Sequence, residues 1–241
     1  MGKIVAGLTA RTDAVADVYI RKRYAILFYS LLFTFVASPL LAALQWKSTF
    51  IELLLATTLL IAVLPVRTVS VRWSLWILMA LALAGRLSSA YLGHTFSSFN
   101  LGIFTLVGLL AAVNALRFTL RATAIDSAHI YAALSAYLLA GISFGILYWV
   151  MEHTWPGSLL YGGGSVNGFS TADGIYFSFV TLATLGYGDF VPKTEVARGL
   201  AVLEAVAGQL YLAVMVARLV SLYVSGSAGR KNADPEADKN L

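Results

Sequence analysis

Six apolar runs of roughly 18 to 29 residues follow one another between short charged segments, each long enough to cross a hydrocarbon layer about 30 Å thick. They fall near 24–44, 49–66, 73–92, 99–120, 128–151 and 196–224, with Pro39 placed to kink the first. Charged residues make up only 12% of the chain, against about a quarter in a soluble domain. The chain therefore reads as a polytopic membrane protein. Its formal charge of +5 is spread over the segments between runs rather than gathered into a nucleic-acid patch. With the N-terminus inside, the inner segments carry Arg21, Lys22, Arg23, Arg67, Arg72, Arg117, Arg121 and Arg218, and the outer ones only Lys47, Lys193 and Arg198. Such an asymmetry places both termini in the cytoplasm. The chain has no cysteine, which excludes disulfides and Cys-ligated metal. The first run is too long for a signal-peptide core and is expected to be retained. The start Met1-Gly2 lacks the Ser or Thr that myristoylation needs, having Ala6 there.

The fifth and sixth runs are separated by a Gly- and Ser-rich loop, 152–169, and by a half-length segment that begins at Ser170. Ser170-x-x-Asp173 has the form of a capping box, so a helix is expected from Thr171 to about Thr181 or Leu182. About eleven residues at 1.5 Å each reach roughly half-way through a bilayer, so the segment must dip in and return. Irregular backbone at that depth is tolerated only where it is buried in protein or lines a water-filled cavity. Gly186 and Gly188 take left-handed conformations without a side-chain clash. Alternating these with right-handed residues turns successive carbonyls the same way. Thr184 can add its hydroxyl, and rings of such oxygens can replace the water around a bare cation. One chain supplies one edge of such a ring, so several copies are needed. Gly186-Tyr187-Gly188 alone would suit a plain turn. Its setting between a half-helix and a full span argues for a pore.

The stretch Thr181-x-x-Thr184-Leu185-Gly186-Tyr187-Gly188-Asp189 resembles the signature of the tetrameric potassium channels, and the resemblance extends over about 127–224. It implies a two-helix pore module in which Thr184, Leu185, Gly186, Tyr187 and Gly188 form the selectivity filter for K+. It further implies that Asp189 sits at the outer mouth, and that Tyr187 braces the filter against half-helix aromatics such as Tyr176 and Phe177. Thr181, Val180 and Glu204 are candidates for support from behind. Gly208 stands where the family's inner helix often bends. Leu185 replaces the usual Val, Ala183 replaces a common Thr, and Val180 stands where some relatives carry a buried carboxylate.

Gly208, Leu212, Val216 and Val220 recur every fourth residue, a stripe that suits either helix packing or a pore lining with a hydrophobic gate. Gly208 is equally compatible with a hinge or a close contact. Glu204 could bond the half-helix or attract cations. The fourth run is apolar through its middle, with Arg117 and Arg121 only at its end, so it lacks the array a voltage sensor needs at about 2.3 kcal/mol per charge per 100 mV. Arg86 and Glu52 lie within spans and could pair. His94, His129 and His153 have no metal-ligand spacing.

The expectation is thus an all-α membrane protein, six transmembrane helices plus one re-entrant pore helix and filter loop, assembling as a homotetramer. Its parts would be a cytoplasmic segment (1–23), a four-helix peripheral domain (24–121), the pore domain (122–225) and a disordered cytoplasmic tail (226–241). A bacterial-type inner-membrane channel is expected, passing K+ passively, with no cofactor, soluble ligand domain, nucleic-acid partner or enzymatic site. The alternatives are a weakly selective monovalent cation channel and a non-conducting regulatory subunit.

Overall fold

The protein is described by a computed structural model covering residues 22–37, 40, 44, 57–58, 95–122, 126–165 and 168–233. The expected second and third spans, with Glu52 and Arg86, lie outside the described residues. Helix α1 covers 22–37, α2 covers Thr95–Leu120 and α3 covers Ser127–Thr154. A hairpin of strands β1 (Leu159–Tyr161) and β2 (Gly164–Ser165) leads to the short helix α4, Thr171–Leu182. Strand β3 (Phe190–Pro192) follows, and the long helix α5 spans Glu195–Ala233. Among the described residues, Ser127–Thr154 and Glu195–Arg218 are long and apolar enough to cross a membrane.

Local chemistry sets the helix starts. Asp126 caps α3, its Oδ1 accepting the N–H of His129 at 3.1 Å, and Ser170 caps α4, its Oγ accepting the N–H of Asp173 at 3.1 Å. Asp173 answers by accepting the Ser170 N–H at 2.9 Å, completing the expected capping box.

The peripheral helices bury one continuous face against α3. Leu27 and Leu31 of α1 lie at 1% exposure among Ala111 and Ala115 of α2 and Ala132, Ala136 and Leu139 of α3. Small residues on α2 and α3 let the backbones approach, the usual packing solution where lipid removes the hydrophobic drive between helices. Phe35 of α1 reaches the half-helix, its ring edge-on to Phe179 at 4.8 Å. Helices α3 and α4 cross more closely still. A Cβ at Gly145 would collide with the Ile175 backbone, and one at Gly174 with the Gly145 carbonyl oxygen.

Two expectations are corrected. The loop before α4 is not merely irregular, because β1 pairs with both β2 and β3 in an antiparallel sheet of order β2-β1-β3. Sequence alone does not show that pairing, since its strands are two or three residues long and β3 lies beyond α4. The tail placed at 226–241 is helical as far as Ala233. Once a helix is nucleated each added residue gains a hydrogen bond, and the next proline in the sequence is Pro235.

Candidate functional site

Helix α4 ends at Ala183, whose N–H returns to the Phe179 carbonyl at 3.0 Å. The chain then reverses over its own last turn. Thr184 N–H donates to the Thr181 carbonyl at 3.0 Å, and the N–H groups of Leu185 and Gly186 both donate to the Val180 carbonyl, at 2.9 and 3.3 Å. The end of the half-helix is thereby tied to the start of the extended stretch. Positive φ occurs at Thr184 (56°), Gly186 (58°) and Gly188 (77°), but not at Leu185 or Tyr187. This is the alternation that aligns successive carbonyls. Its first member carries a β-branched side chain in a conformation costing about 1–3 kcal/mol. All five residues are exposed in the single chain, Leu185 at 58% and Tyr187 at 67%.

The far end of the stretch is fixed to α4 and to the sheet. The Tyr176 hydroxyl donates to Asp189 Oδ2 at 2.7 Å, and Gly162 N–H donates to the Asp189 carbonyl at 3.0 Å. Burial alone would raise the Asp189 carboxyl, but hydrogen bonds from Tyr176 and from the backbone N–H groups of Phe190 and Asp189 outweigh it. The group is held below the usual carboxylate range. Phe190 sits against Tyr161 at 4.8 Å, Phe169 at 5.5 Å and Tyr176 at 6.2 Å. The buried Glu152, at the end of α3, accepts the N–H groups of Gly157 at 2.7 Å and Leu159 at 2.8 Å, anchoring the hairpin.

Behind α4 lies a buried polar cluster. Glu204 of α5 is fully buried, with the Tyr148 hydroxyl donating to its Oε2 at 2.8 Å. Its Oε1 is 2.5 Å from Ser178 Oγ, and that oxygen is 2.7 Å from the Gly141 carbonyl. Glu204 therefore bonds the half-helix, one of its two expected roles. Phe177 turns into the same region, its ring edge-on to Tyr148 at 4.7 Å. Tyr176 is bonded to Asp189, and Phe177 belongs to the face that α4 buries on α3.

On α5, Gly208 is a contact point. A Cβ there would lie 2.5 Å from the Leu182 carbonyl oxygen, and the helix runs through without a break. Gln209 Nε2 donates to Thr184 Oγ1 at 3.4 Å, and Tyr211 bonds the Ala133 carbonyl. Leu212, Val216 and Val220 are 42%, 59% and 56% exposed, whereas Gly208 is buried. Arg117 and Arg121 are exposed at the end of α2. Sequence reasoning missed Tyr148, Ser178 and Glu152. The only available signal was that a buried acid needs donors, and the donors stand far away in sequence.

A family model described as "Ion channel" matches residues 132–225, which hold α3, the half-helix, the reversed stretch and most of α5. The match points to a channel domain rather than an enzyme. The chain is 32% identical over 97 residues to the inward rectifier potassium channel Kirbac3.1 of Paramagnetospirillum magnetotacticum, covering 39% of this chain and 29% of that one. It is 31% identical over 93 residues to two pore potassium channel c of Oryza sativa subsp. japonica, covering 39% of this chain and 18% of that one. The chain thus spans less than a third of the length of either relative. No solved structure matches it.

Proposed function

We propose that this chain is a subunit of a potassium-selective channel in which four copies bring the stretch Thr184–Gly188 together around an axis. The carrying observation is the alternation of positive φ at Thr184, Gly186 and Gly188 on an exposed, reversed segment. On this reading the carbonyls of Thr184, Leu185, Gly186 and Tyr187, with the Thr184 hydroxyl, replace the hydration shell of K+. The carboxylate of Asp189, repeated four times, concentrates cations at the outer mouth. The C-terminal end of α4 turns its negative dipole toward the cavity beneath the filter. Leu212, Val216 and Val220 line the inner pore, where a hydrophobic constriction gates by dewetting. The peripheral helices seat the module in a bacterial inner membrane with both termini cytoplasmic, and they carry no voltage-sensing array.

Purified protein in a planar bilayer, with opposed K+ and Na+ gradients, tests the reading. A reversal potential near the K+ equilibrium value is expected. Equal permeation would make the pore a weakly selective cation channel, and absence of current would favour a regulatory subunit. Native mass spectrometry in detergent is expected to give four copies, and any other closed number would overturn the ring.

A further inference from the structure

The cluster behind α4 has one hydrogen too few if Glu204 is ionised. Ser178 Oγ lies within hydrogen-bond distance of two oxygens, Gly141 O at 2.7 Å and Glu204 Oε1 at 2.5 Å, and its hydroxyl owns a single hydrogen. A carboxylate and a carbonyl can only accept. If the hydrogen pointed to Glu204, the Gly141 carbonyl would face bare lone pairs on Ser178. If it pointed to Gly141, the carboxylate would face them instead. One added proton resolves the conflict. With Glu204 neutral, every hydrogen has an acceptor: the Tyr148 hydroxyl donates to Oε2, Glu204 Oε1–H donates to Ser178 Oγ, and Ser178 donates to Gly141 O.

We propose that Glu204 is carried as a neutral carboxylic acid, and that its proton positions the half-helix by linking α5, α4 and α3 through Ser178. The surroundings agree. Glu204 has no exposure to solvent, and among the described residues no cation pairs with it. An isolated carboxylate buried without a counter-charge is costly enough that such a group neutralises instead. The groups facing it are hydroxyls, from Tyr148 and more distantly Tyr137 on α3, and from Ser178 on α4. Ser178 also stands four residues before the end of α4, whose negative dipole end opposes a second negative charge. The relay thus clamps α4 two and three residues before Val180 and Thr181, whose carbonyls tie it to Thr184, Leu185 and Gly186. Its role as a filter support rests on the channel reading, whereas the protonation itself does not.

Infrared difference spectroscopy of the protein in lipid separates the two. Wild type is expected to show an acid C=O band that shifts in deuterated water, is absent in Glu204→Gln and moves to higher frequency in Tyr148→Phe, where the donor to that C=O is gone. Loss of carboxylate bands instead of an acid band in Glu204→Gln would overturn the proposal, whether or not the protein conducts. If Glu204→Gln fails to assemble, the wild-type and Tyr148→Phe spectra decide alone. Flux provides the positioning readout. Glu204→Gln retains a donor for Ser178 and an acceptor for Tyr148, so its flux is expected within about twofold of wild type, while Glu204→Ala, which leaves the Tyr148 hydroxyl without an acceptor and Ser178 without its donor from α5, falls about tenfold or more. Equal loss in Glu204→Gln and Glu204→Ala would overturn the positioning role.

Discussion

Tyr176 and Asp189 lie on opposite limbs of the same reversal, and the tyrosine hydroxyl donates to the carboxylate at 2.7 Å. The Asp189 carboxylate is therefore carried by the half-helix as well as by the strand that follows it. A rotation of α4 would be transmitted directly to Asp189.

Removing that hydroxyl should change where the mouth loses its charge. Asp189 is held below the ordinary carboxylate range, so its hydrogen bonds support the fold fully above about pH 4 and are lost as pH falls through the depressed value. In Tyr176→Phe the depression shrinks, and the carboxylate protonates at a higher pH than in wild type. Conductance titrated from the outer side should fall at less acidic pH in the variant. An unchanged titration would show that Tyr176 does not govern the group.

Gly208 should behave as a contact and not as a hinge. Its missing Cβ makes room for the Leu182 carbonyl, so Gly208→Ala forces α5 away from the end of α4. A loss of about 1–3 kcal/mol is expected, read as a lower melting temperature of the assembled protein. At Gly102, where an added Cβ meets nothing among the described residues, alanine should be neutral or stabilising by up to about 1 kcal/mol. Equal behaviour of the two variants would remove the packing account.

On the proposed reading, Thr184 combines strain with a ligand role. Replacing it by glycine at φ 56° relieves about 1–3 kcal/mol of backbone strain and removes the hydroxyl. Thr184→Gly should melt higher in the absence of K+ but gain less stability when K+ is added. Thermal unfolding over a K+ titration measures both effects. Serine, which keeps the hydroxyl, should retain the K+-dependent gain.

Glu152 holds the hairpin through two backbone N–H groups, and glutamine offers only one acceptor oxygen in its place. Glu152→Gln should leave one of the two donors unsatisfied and cost about 1–3 kcal/mol. Hydrogen exchange should rise at Gly157 or Leu159 and across β1, with α5 unchanged. Protection equal to wild type would show that the sheet holds the loop without the acid.

The capping box, the length of α4 and the need for residues tolerant of positive φ were all legible at Ser170, Asp173, Gly186 and Gly188. Each depends on neighbours within a few positions, where steric and hydrogen-bond rules act directly. The same holds for the absence of a charge array in α2. The three-stranded sheet was not legible, because β1 finds its second partner at Phe190–Pro192 only after α4 has turned the chain back.

Sequence by itself determined that the chain belongs in lipid, that a half-length helix interrupts its last two spans, and which stretch departs from regular structure at its end. These follow from run length, spacing and local backbone sterics. Tertiary structure alone decided that Thr184 joins the glycines at positive φ, that Gly208 is filled by Leu182, and that Glu204 meets Tyr148 and Ser178. Such contacts join residues 26 to 56 positions apart, and only the packing of α3, α4 and α5 brings them within reach.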